Sequence, residues 1–277
     1  MTQSVRLTVQ YDGTDFHGWQ RMPGVATIQE ELEKALRVLL RHDVVVTAAG
    51  RTDAGVHAEG QVVSFPAPVP VTDELLFKLR RGMNALMAEG IVVTALREAP
   101  ADWDARREAV GKRYVYRIHN LPTPPVFTRR YRWHVQQPLD VEAMERAAQC
   151  LLGEQDFEAF RASGCQAEHA YRYLWRVTVK RLGDDVEVEF RGNAFVRSQV
   201  RIMVGTLVEV GLGKRSVESV AEILRGRDRT KAGRTAPATG LFLAKVYYPE
   251  DAEEAGIPKE AKFPGWPPGE AGGGDDG

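Results

Sequence analysis

The sequence predicts an α+β protein of two similar halves, each a mainly antiparallel sheet flanked by helices, that meet near residue 105. Apolar residues recur at strand and helix spacing along residues 4–248. The strands and helices follow each other too irregularly for repeated parallel crossovers. With 277 residues, 43% of them hydrophobic and 27% charged, the chain has enough apolar mass for one large domain or two small ones.

The first half, residues 1–105, opens with a strand and a helix. Apolar and polar residues alternate over residues 5–11, which is typical of a half-buried strand. Thr27 and Glu30 have capping-box spacing, and they precede an apolar helical face that ends near His42. The other predicted elements are strands at residues 44–49, 62–65 and 91–96 and a helix at residues 73–86.

The second half, residues 106–248, opens with a strand at residues 112–118, in which Tyr114 and Tyr116 share one face. Asp140 is placed to cap the helix that follows. The other predicted elements are strands at residues 175–180, 186–191 and 241–248, a mostly apolar helix at residues 195–210 and a short helix after Ser216.

Charge is unevenly distributed along the chain. Residues 249–277 carry eight acids and two lysines, are rich in Gly and Pro, and lack an apolar period, so they are predicted to form a flexible acidic tail. The remainder has a net charge of +5. Between Arg106 and His134 there are eight Arg or Lys residues and a single acid, Glu108, so this stretch could face a polyanion.

Several classes of site are excluded by spacing. Residues 211–216 lack the pattern of a phosphate-binding loop, and the six histidines contain no pair at metal-ligand spacing. Cys150 and Cys165 are predicted to be free thiols. No stretch approaches the roughly 18 apolar residues of a membrane span, and no secretory signal precedes the body. The sequence therefore predicts a cytoplasmic protein without a metal site or a membrane segment.

One segment, residues 50–58, has the sequence Gly-Arg-Thr-Asp-Ala-Gly-Val-His-Ala and follows an apolar strand. Its glycines permit unusual dihedral angles and close approach, so the carboxylate of Asp53 could lie in a cleft beside Arg51 and Thr52. The alternative is an Asx-type turn in which Asp53 bonds only its own backbone. Spacing alone leaves both interpretations open.

This segment resembles the signature of the tRNA pseudouridine synthase A family. Other blocks follow in the family's order, and the resemblance covers residues 4–248. These blocks lie at residues 12–14, 16–20, 112–114 with Tyr116, 190–195 and 200–201. Phe242 stands where the family often has tyrosine, a departure expected to affect packing.

The resemblance implies the pseudouridine synthase fold and a homodimeric isomerase without a cofactor. Its expected reaction converts uridine to pseudouridine at positions 38, 39 and 40 of the tRNA anticodon stem-loop. Asp53 falls on the family's catalytic nucleophile and Arg201 on the cation that keeps the carboxylate ionised. Tyr114 falls on the tyrosine that holds the uracil and helps to remove the C5 proton. Whether Asp53 attacks the base, attacks the sugar or acts as a base stays open.

Without the resemblance, ordinary roles are favoured for Arg201, as a solvated helix arginine, and for Tyr114, as a half-buried strand aromatic. Arg51 is expected to occupy the space that an everted base vacates. Five further arginines are assigned to tRNA phosphates, namely Arg106, Arg107, Arg113, Arg129 and Arg130.

Two other functions remain open. The first is an RNA-binding or tRNA-folding module without chemistry, which would use the same basic stretches and aromatics. The second is a hydrolase with an Asp nucleophile and a covalent acyl or phosphoryl intermediate, which would normally need metal ligands that the spacing does not supply.

Overall fold

The computed structural model describes residues 3–258, which form a mixed α+β structure with five α-helices and mainly antiparallel strand pairing. This confirms the predicted α+β class. The described chain divides into two units, the first containing residues 3–113 and Ala238–Ala252, the second containing Tyr114–Pro237 and residues 253–258. Among the described residues, no helix has the length and apolar character that a membrane crossing requires.

The elements are numbered in chain order. The strands are β1 (Ser4–Tyr11), β2 (Thr47–Ala48), β3 (His57–Pro66), β4 (Ile91–Ala99), β5 (Gly111–His119), β6 (Trp133–His134), β7 (Gly153–Asp156), β8 (Tyr171–Leu182), β9 (Asp185–Gly192) and β10 (Leu241–Tyr247). The α-helices are α1 (Ile28–Leu40), α2 (Asp73–Leu86), α3 (Val141–Ala148), α4 (Gln199–Gly211) and α5 (Ser219–Gly226).

The strands of the first unit pair in the order β4-β1-β3-β10, and the short β2 also pairs with β3. β1 is antiparallel to both of its neighbours, whereas β10 is parallel to β3. Val5, Leu7 and Val9 are fully buried on one face of β1, which confirms the predicted alternation. α1 and α2 pack on each other, and α2 also packs on β4.

The start of α1 is capped by main-chain carbonyls. The N–H groups of Ile28 and Gln29 donate to the carbonyl oxygens of Gly18 and Trp19, at 3.2 Å and 3.0 Å. These bonds satisfy two of the donors that a helix N-terminus leaves unpaired. Thr27 is the N-cap residue, but its side chain accepts no capping bond. The predicted capping box was therefore wrong, because the preceding segment supplies the acceptors.

In the second unit the strands lie in the order β5-β9-β8-β7, with β6 pairing parallel to β5. β7, β8 and β9 are antiparallel neighbours. α3 packs against α4 and β8. The predicted cap of α3 is confirmed, because Asp140 Oδ1 accepts a hydrogen bond of 2.8 Å from the N–H of Ala143.

Two predicted elements differ in length from the structure. The strand predicted at residues 44–49 is reduced to β2, because the N–H of Val46 donates to the side chain of Glu33 and not to a neighbouring strand. The helix predicted at residues 195–210 begins only at Gln199. Ser198 has a φ of 57°, which is outside the helical range and delays the first turn.

The chain after β10 stays close to the first sheet through Glu250. Its carboxylate forms ion pairs of 2.7 Å with Arg6 and 2.9 Å with Arg97. These two arginines face each other across β1 and β4. Residues 259–277, the greater part of the predicted acidic tail, lie outside the described residues.

Three buried tyrosines have raised pKa values. Burial raises the pKa of Tyr11 to about 12, against the partial opposing effect of hydrogen bonds from Thr52 and Gln61. Burial likewise raises the pKa of Tyr116 and Tyr248. Each phenol is hydrogen-bonded, Tyr116 donating to the carbonyl of Pro237 at 2.7 Å and Tyr248 to that of Ala105 at 2.8 Å. Burial of the neutral phenols is therefore compatible with their polarity.

We expect stability to fall steeply above pH 10. The unfolded chain loses these phenol protons near pH 10, whereas the folded chain holds them to higher pH, so the folded state binds more protons and its free energy of unfolding decreases. Tyr11→Phe should reduce that slope by about 1.4 kcal/mol per pH unit between pH 10 and 12. Urea unfolding at several pH values measures this pH dependence of the free energy of unfolding. An unchanged slope in Tyr11→Phe would contradict the raised pKa of Tyr11.

Candidate active site

The Asp53 loop, defined as residues 50–56, joins β2 to β3 and is closed by a tight turn. The N–H of Val56 donates to the carbonyl oxygen of Asp53 at 3.1 Å. Gly55 has a φ of 75°, a conformation that a residue with a side chain rarely adopts. Arg51 is exposed, Asp53 is half-buried and Thr52 is buried. Thr52 is thus the buried residue of the Arg-Thr-Asp triplet, and Arg51 and Asp53 on either side of it lie nearer the surface.

The segment of residues 16–19 holds this loop through the main chain. The N–H of Trp19 donates to the carbonyl oxygen of Thr52 at 3.1 Å, and the N–H of Gly55 donates to that of Phe16 at 3.3 Å. Phe16 and Trp19 are themselves buried. The same segment caps α1, so one short stretch connects the helix start to the loop that carries Asp53.

A buried polar network lies beneath the loop. The hydroxyl groups of Tyr11 and Thr52 are hydrogen-bonded at 2.8 Å. The side-chain amide of Gln61 donates to the carbonyl of Gly50 at 2.8 Å and to the Tyr11 hydroxyl at 3.4 Å. Because Tyr11 and Gln61 belong to the paired strands β1 and β3, the network attaches the loop to the sheet of the first unit.

His57, which follows the loop, is buried at the start of β3. Its Nδ1 accepts a hydrogen bond of 3.1 Å from the N–H of Gly13, and Asp12 Oδ1 lies 3.1 Å from the same nitrogen. The ring of Phe242 stacks on the imidazole with centroids 4.7 Å apart. At the position where the family often has tyrosine, Phe242 therefore makes a packing contact.

Three of the predicted phosphate-binding arginines also belong to the first unit. Arg106 and Arg107 are exposed. Their main-chain N–H groups both donate to Asp104 Oδ1, at 2.8 Å and 2.9 Å. Arg113 is half-buried on β5. The Asp104 carboxylate thus fixes the backbone from which two exposed guanidinium groups extend.

Tyr114 belongs to the second unit and is 8% exposed on β5. Its ring packs edge-on against Phe195, with centroids 5.0 Å apart and planes at 78°. This aromatic contact restricts the orientation of the phenol ring.

Arg201 is the third residue of α4 and is half-buried. Its Nε donates to the carbonyl oxygen of Ala236 at 2.8 Å, and the N–H of Ala236 donates to the carbonyl of Arg201 at 3.0 Å. The N–H of Gly233 donates to the hydroxyl of Thr206 at 2.9 Å. Residues 233–236 are therefore bound along α4, and they restrict the Arg201 side chain.

Arg129 and Arg130 are exposed on the loop that follows β5. The predicted site residues are thus divided between the units. The first unit contains Arg51, Asp53, Arg106, Arg107 and Arg113, and the second unit contains Tyr114, Arg129, Arg130 and Arg201.

Sequence reasoning missed the network beneath the loop. Tyr11 was interpreted only as the end of a strand, and Gln61 received no role. The available signal was a polar Gln61 directly before the apolar pair Val62 and Val63, since a buried polar side chain needs hydrogen-bond partners. Cys150 and Cys165 are free, as predicted. Among residues 3–258, no three His, Cys, Asp or Glu side chains are grouped to hold a metal ion.

Comparison with known proteins places the chain among RNA-modifying enzymes. A family model described as tRNA pseudouridine synthase matches residues 147–249. The tRNA pseudouridine synthase A of Acetivibrio thermocellus is 40% identical over 89% of this chain and 100% of its own length. The enzyme of that name from Myxococcus xanthus is 45% identical over 88% of this chain and 91% of its own length. The crystal structure of a Cbf5-Nop10-Gar1 complex aligns with a TM-score of 0.31 at 12% identity, over 91% of this chain and 66% of its own.

We expect Gly18→Ala to displace the Asp53 loop. Gly18 has a φ of 85°, and an added Cβ would lie 2.6 Å from the carbonyl oxygen of Thr52 and 3.0 Å from the carbonyl carbon of Asp53. Backbone strain of about 1–2 kcal/mol combined with this overlap should lower the free energy of unfolding by at least about 3 kcal/mol.

Gly24→Ala is the matched control. Gly24 has a φ of 78°, but its added Cβ would meet nothing within 4 Å, so only the backbone strain applies. Urea unfolding of both variants measures the difference. Equal losses would indicate that Gly18 is required for its dihedral angle alone and not for its contact with the loop.

Proposed function

This chain belongs to the tRNA pseudouridine synthase A family, and we propose that it acts at positions 38, 39 and 40 of the tRNA anticodon stem-loop. It is a tRNA pseudouridine synthase, and pseudouridine synthases are isomerases. The reaction breaks the N1–C1′ glycosidic bond of a uridine and forms a C5–C1′ bond. C5 loses a proton and N1 gains one, so the atoms balance without an external reactant.

Asp53 is the proposed nucleophile. The observation that supports this assignment is the rigid attachment of its turn, which is bonded to residues 16–19 through the main chain and to β1 and β3 through Tyr11 and Gln61. Catalysis requires a reacting group held near its productive position. A half-buried carboxylate on such a turn meets this requirement, whereas a mobile surface acid would not.

Arg201 and Tyr114 have proposed roles that depend on the family resemblance. Arg201 stabilises the ionised carboxylate, and its bond to Ala236 restricts the side chain for that task. Tyr114 stacks on the target uracil and assists removal of the C5 proton. The contact of Tyr114 with Phe195 supports this role because it limits rotation of the ring that would meet the base.

Arg51 is proposed to fill the position vacated by the everted uridine, and its exposure next to Asp53 suits that task. The exposed Arg106, Arg107, Arg129 and Arg130, with Arg113, are proposed to bind tRNA phosphates. Scattered arginines of this kind recognise the shape of a tRNA more readily than base edges.

We further propose a cofactor-free homodimer that acts in the cytoplasm, where its tRNA substrate is found. The two halves, residues 1–105 and 106–248, are proposed to be related folds, each a sheet with helices. Two subunits would extend the basic surface along one tRNA molecule.

Asp53→Asn should abolish conversion while preserving tRNA affinity, because the amide is nearly isosteric but cannot act as an anionic nucleophile. We expect the rate of pseudouridine formation to fall by at least about a thousandfold. The measurement is carbodiimide mapping of pseudouridine in unmodified tRNA, with a chelator present, together with a binding assay. Modification by wild type outside positions 38–40 would overturn the proposed target.

Glu74→Gln is the control for the loss of a carboxylate. Glu74 is exposed on α2 and pairs with Lys78, so its loss should leave conversion unchanged. Turnover by Asp53→Asn comparable to that of the control would remove Asp53 from its role.

Arginine variants should separate catalysis from binding. Arg201→Ala should lower conversion more than affinity, whereas Arg129→Ala and Arg130→Ala should weaken binding and reduce the salt dependence of log K by about 0.7–0.9 for each lost phosphate contact. Arg197→Ala, at an exposed residue ahead of α4, is the control for Arg201. Thermal unfolding of each variant excludes loss of folding. Parallel losses of conversion and affinity in all variants would contradict this division.

A further inference from the structure

The loop of residues 121–132 exposes an aromatic side chain that the proposed reaction does not use. Phe127 is 94% exposed and the adjacent Val126 is 68% exposed. A phenylalanine this exposed leaves nearly its whole ring in water, which is unfavourable in an isolated chain. The loop lies wholly within the second unit.

The two ends of this loop are fixed by side-chain contacts, which limits where Phe127 can lie. His134 Nε2 donates to the carbonyl oxygen of Leu121 at 2.8 Å. Arg132 forms an ion pair of 2.6 Å with Asp185. Between these anchors, Pro122, Pro124 and Pro125 restrict the backbone ahead of the aromatic residue.

The charge around Phe127 selects its partner. Residues 121–132 contain three arginines and no acid. Arg129 and Arg130 are exposed within three residues of Phe127. Alternating aromatic and cationic side chains are typical of surfaces that bind single-stranded nucleic acid, where rings stack on bases and arginines contact phosphates.

A protein partner fits this surface less well. Interface cores are depleted of charged residues, and a stable dimer buries about 800 Å² on each subunit. The apolar part of the loop is limited to Val126 and Phe127 between prolines and arginines. A second copy of the same loop would also bring like charges together.

We propose that Phe127 stacks on an unpaired base of the RNA substrate, with Arg129 and Arg130 on the phosphates beside it. The ligand is thus a single-stranded nucleotide, bound with little preference for its base because every base has a π face. This inference rests on the proposed tRNA substrate and adds a contact away from the Asp53 loop.

The test compares Phe127→Ala, Phe127→Leu and Phe127→Tyr in tRNA binding over a series of salt concentrations. Leucine keeps the apolar volume but has no ring, so the Ala and Leu variants should both lose roughly tenfold in affinity, whereas the Tyr variant should bind as wild type. Because no charge is removed, the salt dependence should stay unchanged in all three, in contrast to Arg129→Ala.

Phe77→Ala is the matched control, since Phe77 is an exposed phenylalanine, at 58%, on α2. Ultraviolet crosslinking of wild type to tRNA, followed by peptide mass spectrometry, should place a nucleotide adduct on Phe127. Light scattering of each variant at micromolar concentration reports its assembly state.

Two results would overturn the proposal. Wild-type affinity in Phe127→Leu would indicate an apolar contact without stacking, and dissociation of subunits by Phe127→Ala with unchanged RNA affinity would assign the residue to a protein interface. Failure of the proposed function can be distinguished from failure of the stacking proposal. In the first case the wild-type protein binds tRNA but forms no pseudouridine. Failure of the stacking proposal alone appears as normal conversion and normal binding in every Phe127 variant.

Discussion

The main-chain hydrogen bonds of residues 16–19 constrain the rest of the candidate site. This segment accepts from the first N–H groups of α1 and exchanges bonds with both sides of the turn at Asp53. A helix start and a loop that are far apart in sequence therefore share one backbone support. Because the bonds involve backbone atoms, they fix the turn independently of the side chains at most of these positions.

The polar network beneath the loop adds a second constraint of a different kind. Tyr11 and Gln61 are buried polar residues on adjacent strands, and their hydrogen bonds end on Gly50 and Thr52. Strand pairing between β1 and β3 sets the spacing of these two side chains. The position of the loop that carries Asp53 thus depends on sheet register, through two hydrogen-bonded side chains, and not on the loop sequence alone.

Much of this organisation could be predicted from the sequence, because it depends on local periodicity. The alternation of Val5, Leu7 and Val9 and the cap at Asp140 are local properties, and the structure confirms both. The Asp53 loop was found because its residues are contiguous.

The features that sequence reasoning missed depend on residues distant in the chain. Thr27 lost its predicted capping role to the carbonyls of Gly18 and Trp19, and the start of α4 was delayed by the backbone conformation of Ser198. The Tyr11–Thr52–Gln61 network joins three separate segments, so no window of sequence contains it. Periodicity predicts which face of an element is buried, but not which polar atoms meet there.

Glu250 has a consequence for where this protein can be shortened. Arg6 and Arg97 occupy directly opposed positions on β1 and β4, a cross-strand arrangement that repels unless an anion lies between them. Glu250 supplies that anion from beyond the last strand. A truncation immediately after Tyr248 would remove Glu250, leave the two facing guanidinium groups without their anion and weaken the edge of the first sheet at β4. A shortened chain for crystallisation or for fusion to another protein should therefore end no earlier than Ala252.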